Sequence, residues 1–202
     1  ILAVKEYLDE KYGEDFVRRS GLKVTTTLDV DLQTAAEKAV AAGAKRNEEL
    51  YKGTNAALVS QDATTGQILA LVGSRDYFDS NREGNVNVTV ALRQPGSSIK
   101  VVTYAAALEK GFTAASILDD SAVVYPQIGG PAYAPVNYDG KFHGFVPLRY
   151  ALGNSYNIPA VKTIASIGVS AVIDKGRSMG ITSWVDENRY GLALTLGGGE
   201  VT

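Results

Sequence analysis

One stretch constrains the fold more than any other. It is Arg93-Gln94-Pro95-Gly96-Ser97-Ser98-Ile99-Lys100, running straight into Val101-Val102-Thr103-Tyr104-Ala105-Ala106-Ala107-Leu108. Pro-Gly cannot continue regular structure from its N-terminal side. The run behind it forms helix readily, and Gly111 stops that helix after Lys110. Serines are favoured where a helix caps its free N–H groups. The sequence therefore predicts Ser97 at a helix N-terminus and Lys100 one turn on, along the same face. A hydroxyl and an amine held that way can carry nucleophilic chemistry. The hydroxyl is a weak nucleophile until a base takes its proton. Lysine is a poor base at its free pKa of about 10.4, and burial makes it a usable one. N–H dipoles at the helix start favour negative charge developing near the serine. Taken alone, the pair reads first as a helix cap and a solvated lysine, because Ser-x-x-Lys is common by chance.

Composition bounds the chemistry. The 202 residues, 45% hydrophobic and 21% charged, suit a soluble globular chain of one large domain or a domain with an appendage. A net charge of −2 argues against a nucleic-acid footprint. With no cysteine there is neither a disulfide framework nor a thiolate metal site. With one histidine, His143, a poly-histidine metal site is excluded and a Ser-His triad has one candidate base. Neither a cofactor nor a metal is expected. No apolar run approaches the ~20 residues of a membrane span.

In chain order, Ile1 to Tyr12 reads as a short amphipathic helix with Leu2, Tyr7 and Leu8 as its stripe. Leu22 to Leu28 is a threonine-rich, β-branched run that suits a strand. Asp29 or Asp31 can cap a helix from Leu32 to about Lys45, and polar residues 46–54 read as a joint. The expected boundary lies there, with 1–54 an interdomain linker region and 55–202 the N-terminal portion of a catalytic domain. Residues 56–60 and 67–72 are apolar runs around the turn Asp62-Ala63-Thr64-Thr65-Gly66, which predicts a hairpin. Residues 73–87 read as loop, and 112–150 as mostly irregular, punctuated by Pro and Gly. A helical turn is expected at 149–152, then helices at 159–167 and 169–179, the last ended by Gly180.

A second polar cluster, Ser155-Tyr156-Asn157, falls between two helices. By itself it reads as a turn, since Ser and Asn bond their own backbone there. Aimed into a cleft, the serine could relay a proton, and the asparagine amide could both donate and accept. Ser-x-x-Lys with a Ser-x-Asn triplet is a pattern of penicillin-binding proteins and class A β-lactamases. The flanking residues sharpen the match. Arg93-Gln94-Pro95-Gly96-Ser97-Ser98 resembles the nucleophile segment of class A (bifunctional) penicillin-binding proteins. So do Tyr133-x-Pro135-x-Asn137-Tyr138-Asp139-Gly140, Leu148-Arg149-x-Ala151-Leu152, Asn154-Ser155-x-Asn157-Ile158-Pro159-Ala160-Val161-Lys162 and Leu196-Gly197-Gly198-x-Glu200-Val201. Upstream, residues 22–29 with Leu32-Gln33 resemble the segment joining glycosyltransferase to transpeptidase in that family. Ile99 and Val101 depart from it, without touching the polar chemistry.

The resemblance implies an α+β penicillin-binding/β-lactamase-like fold, an antiparallel sheet flanked by helices plus a mainly helical subdomain, with the sheet incomplete in this chain. It implies a peptidoglycan D,D-transpeptidase with Ser97 as nucleophile, Lys100 as base, Ser155 as proton relay and Asn157 as orienting amide. Implied partners are the donor D-Ala-D-Ala and acceptor amine of stem peptides, β-lactams as covalent inhibitors, an upstream glycosyltransferase domain, and no nucleic acid. The implied location is the extracytoplasmic face of the bacterial membrane, through an upstream anchor. No Lys-Thr-Gly or Lys-Ser-Gly follows Ser155 before Thr202. The family's strand of that pattern supplies the second oxyanion donor, and its sheet takes further strands from the same part. A lone hairpin is marginal, so the remaining C-terminal part of the domain is an expected partner for folding. Without that donor the fragment is expected to be nearly inactive, since one such group is worth about 3–4 kcal/mol.

Two other classes stay open at the level of sequence. One is a D,D-carboxypeptidase or β-lactamase-type hydrolase, which needs a water-activating group that no glutamate here visibly supplies. The other is a penicillin-binding sensor or catalytically idle scaffold. His143 reads as a hydrogen-bonding loop residue, Asp119 and Asp120 as turn or capping residues, and Trp184 as core or lid. Gly197-Gly198-Gly199 lacks the Lys-Ser/Thr of a phosphate loop and reads as close backbone approach near the cleft.

Overall fold

The computed structural model describes residues 2–127 and 129–202, so Ile1 at the head of the first expected helix lies outside it. The chain forms two compact units that divide between Thr89 and Val90.

In the first unit, α1 (Leu2–Tyr12) and α2 (Glu14–Arg19) contact each other but bury no residue fully, so the expected stripe of α1 is at most partly covered. Residues 22–29 are extended but form no strand. They touch the edge of β2 through Thr27 Oγ1, which donates to the Ile68 carbonyl at 2.6 Å, and Asp29 N–H, which donates to the Leu69 carbonyl at 2.9 Å. Asp29 then caps α3 (Val30–Tyr51), its side chain accepting from the N–H groups of Asp31 and Leu32. This helix runs through residues 46–51, which the sequence suggested were a joint. Polarity there marks solvent exposure, and the run 45–51 holds no Pro or Gly to break it. The hairpin forms as expected, β1 (Leu58–Gln61) pairing antiparallel with β2 (Ile68–Val72). Ala36 and Val40 of α3 pack on Ala70 and Val72 of β2. The Gln33 amide also pairs with β2, donating to the Leu71 carbonyl at 3.1 Å and accepting from its N–H at 2.9 Å. Glu48 on α3 holds Arg75 and Arg82, each at 2.7 Å, and stays below the ordinary carboxylate range because of them.

The second unit is built around α4 (Lys100–Glu109), with α5 (Leu148–Gly153), α6 (Asn157–Ile167) and α7 (Val169–Ser178). One core joins Val102 and Ala106 of α4 to Ile164, Val172, Ile173, Trp184 and Leu194. On its other side Tyr104 packs with Leu118, Leu148, Ala151 and Ala160. Within the stretch read as irregular, β3 (Ile117–Asp120) and β4 (Gly144–Pro147) pair antiparallel, with Asp120 opposite Gly144. Asp119 and Asp120 therefore end a strand and are not turn or cap residues. Both strands are four residues long, and β4 is bounded by Gly and Pro, which hid it.

Candidate active site

The turn ahead of α4 is a single 3-10 turn, Gly96–Ile99, that leads directly into the helix. Lys100 N–H donates to the Ser97 carbonyl within it. The helix start is thus satisfied by backbone, and neither serine caps it. Ser98 Oγ instead donates to the Pro95 carbonyl at 2.7 Å. Ser97 is exposed, and its hydroxyl makes no hydrogen bond among the described residues.

Lys100 is fully buried. Its amine donates to the Ser155 carbonyl at 2.6 Å, Ser155 Oγ at 3.1 Å and Asn157 Oδ1 at 2.7 Å. Burial lowers its pKa from 10.5 to about 8, so the neutral amine is far more accessible near neutral pH than in a free lysine. Ser155 holds a left-handed backbone, φ 55°, rare for a residue with a side chain. That conformation lets both its carbonyl and its hydroxyl meet the same amine. Asn157 opens α6 and donates through Nδ2 to the Val136 carbonyl at 2.8 Å. Lys100, Ser155 and Asn157 are therefore joined by hydrogen bonds across more than fifty residues of sequence, and Ser97 stands within one turn of the lysine.

Comparison with known proteins decides the family. The sequence profile described as penicillin binding protein transpeptidase domain matches residues 56–197. The chain belongs to this family. Penicillin-binding protein 1A of Neisseria flavescens is 35% identical over 202 residues, which is 99% of this chain and 23% of that protein. The Aquifex aeolicus protein of the same name is 41% identical over 155 residues, 76% of this chain and 20% of that one. The chain thus spans between a fifth and a quarter of these relatives. Among solved structures, penicillin-binding protein 1A from Haemophilus influenzae matches with TM-score 0.65 at 35% identity, covering 73% of this chain and 21% of that one. PonA1 from Mycobacterium tuberculosis in complex with penicillin V matches with TM-score 0.77 at 26% identity, over 98% of this chain and 53% of that one. The α+β fold expected from the motifs is the transpeptidase fold, here as helices with two small antiparallel sheets.

Around this candidate site, the glycine run makes the close approach expected of it. Gly197, at φ 94°, lies against Gly96, and a Cβ there would sit 2.3 Å from the Gly96 nitrogen. Two residues before Pro95, Arg93 exchanges backbone hydrogen bonds with Val201 at 2.8 and 2.9 Å. These contacts pin the turn that carries Ser97. Trp184 is core, with Gly176 and Gly199 giving it room. His143 is a hydrogen-bonding loop residue as read. It stacks on Tyr156 with centroids 4.0 Å apart and bonds to Asp120. Asp119 takes Lys162 Nζ at 2.7 Å. An open cleft of about 250 Å³ lies beside Ser155, lined by Asn137, Tyr138, Asp139, Asn154 and Tyr156. Sequence reasoning did not place Asp120 or Asn137 near the chemistry. The available signal was Asn137 itself, inside the quoted Tyr-x-Pro-x-Asn-Tyr-Asp-Gly motif.

Proposed function

We propose that this chain carries the nucleophile side of a peptidoglycan D,D-transpeptidase, cross-linking stem peptides through a serine acyl-enzyme. The observation that carries the reading is the buried amine of Lys100, bonded to Ser155 and Asn157 and one turn from the exposed Ser97. Neutral Lys100 takes the Ser97 proton as Oγ attacks the carbonyl between two terminal D-alanines. Ser155, in contact with that amine, passes a proton to the departing D-alanine nitrogen. Asn157 holds the amine in place. The Ser97 N–H, at the start of the turn, is one donor for the oxyanion. The amine of a second stem peptide then attacks the ester, releases Ser97 and forms the cross-link.

β-Lactams fit the same chemistry, since a strained lactam carbonyl replaces the peptide carbonyl. The structure similar to this chain that holds penicillin V supports that choice of inhibitor. Residues 1–54 are proposed as the linker region and 55–202 as the first part of the catalytic domain, on the extracytoplasmic face of the bacterial membrane. An upstream glycosyltransferase domain belongs to the same proposal. The test is intact-mass spectrometry of the full-length protein after incubation with benzylpenicillin. A stable adduct mapped to Ser97, absent in Ser97→Ala, is the expected result. Equal labelling of a folded Ser97→Ala variant overturns the assignment.

A further inference from the structure

Behind Asn157 lies a buried polar chain that the proposed chemistry does not use. It begins at Asp120, fully buried at the end of β3. Its two carboxylate oxygens each accept from Asn137 Nδ2 at 2.8 Å. One of them also accepts from the His143 backbone N–H at 3.0 Å, with His143 Nδ1 2.6 Å away. Asn137 is 4% exposed, and its Nδ2 also donates to the Lys141 carbonyl at 2.8 Å.

With Nδ2 committed, Asn137 Oδ1 faces the first turn of α6. There it accepts from Asn157 N–H at 2.8 Å and Ile158 N–H at 3.3 Å. The residue before α6, Tyr156, supplies no side-chain cap, so Asn137 caps this helix from twenty residues upstream. The adjoining peptide then fixes Asn157 itself, because the Val136 carbonyl accepts from its Nδ2. Only Oδ1 of Asn157 is left to face Lys100.

Electrostatics makes this chain directional. Turning the Asn137 amide over would set its oxygen against a buried carboxylate and the Lys141 carbonyl. It would also set its NH2 group against two backbone donors. Turning Asn157 over would set NH2 against the lysine amine and oxygen against the Val136 carbonyl. Unmatched polar contacts in a buried site are costly, so the flipped Asn137 is excluded, and the partly buried contact with Lys100 disfavours the flipped Asn157. The carboxylate decides which way the Asn137 amide points, and the Val136 carbonyl with the Lys100 amine decides the Asn157 amide.

We propose that Asp120 and Asn137 are positioning residues of the transpeptidase site, aiming Asn157 Oδ1 at the Lys100 amine through the start of α6. This rests on the function proposed above. Neither residue touches the reacting atoms in it.

The test is Asn137→Ser in the full-length protein. This variant leaves Asp120 its contacts with His143 and changes no charge. Acylation by a fluorescent penicillin is followed by stopped flow from pH 6 to 10 and resolved into initial binding and the acylation rate constant. Thermal melting is recorded in parallel. The expected result is an acylation rate constant lower by about 10- to 100-fold with binding little changed, as misplacement of a catalytic group produces. The acid limb of the profile moves to lower pH, because charged Lys100 has lost an acceptor. No charge was removed, so this movement reports the lost aim of Asn157. A folded Asn137→Ser with the wild-type rate and limb overturns the proposal. Should that variant not fold, Asp120→Asn is read on the same split between binding and acylation, and an unchanged acylation rate there overturns it too. Failure of the functional reading looks different: the wild-type protein does not label, or Ser97→Ala still does.

Discussion

Lys100 is the residue on which the site turns, and its burial sets a pH dependence. The group is lowered to about 8, and the form that can accept the Ser97 proton is the neutral one. Acylation by penicillin should therefore fall as pH drops below about 8, by roughly tenfold per unit, and level off above it. Lys100→Arg should abolish the reaction at every pH, because a guanidinium does not deprotonate in this range. A Lys100→Arg variant that is acylated at a useful rate would show that another group is the base. The proposed site residues were visible in the sequence as two short spacings, three residues in one case and two in the other. Each spacing alone reads as a cap or a turn, and only the resemblance of both segments to one family singled them out together. Asp120 was not legible. A carboxylate near a run of Pro and Gly resembles a turn residue, and only the pairing of β3 with β4 buries it. Its partners Asn137 and His143 come from loop residues that no periodicity assigns.

At the scale of elements, the turn Gly96–Ile99 is held from outside. Gly96 adopts φ 57° and Gly197 φ 94°, and the two backbones meet more closely than any side chain would allow. Gly197→Ala meets two penalties at once, a left-handed backbone unfavourable for alanine and a Cβ driven into backbone that cannot swing aside. The Thr103–Thr195 hydroxyl contact at 2.8 Å, buried just behind, leaves α4 little room to retreat. Gly197→Ala is expected to lower the melting temperature and to slow penicillin acylation together, since the displaced residue is next to Ser97. A variant as stable and as fast as wild type would show that the turn is positioned by its own sequence. Helices were the legible elements here, because α6 and α7 carry clear apolar spacing and Gly stops. The strand expected at 22–28 failed for a physical reason. Its β-branched residues favour an extended chain, but a strand also needs a backbone ladder, and here a threonine side chain makes one of the two contacts with β2.

For the whole molecule, the distribution of burial predicts where the chain opens. Six residues of α6 are buried, and Ile158, Ala160, Val161 and Ile164 are wholly inaccessible. This helix contributes to both cores of the second unit, Ile164 to one and Ala160 to the other. Opening it exposes both, so its amides should exchange only through the largest unfolding event of that unit. The first unit has a smaller core, Ala36, Val40, Ala70 and Val72, in which alanine is half the membership. A two-stranded sheet is marginal without cover, and α3 is the cover that β2 has. Helices α1 and α2 contact each other but bury no residue fully, so their hydrogen bonds have little support beyond that contact. Native-state hydrogen exchange should therefore rank the helices α4 and α6 slowest, α3 intermediate, and α1 with α2 fastest. Protection of α1 equal to that of α6 would show that α1 is covered in solution by a surface these residues do not supply. The expected order also accounts for where the chemistry sits. Asn157 and the amide that caps its helix belong to the first turn of one of the two best-buried helices, which are expected to open last.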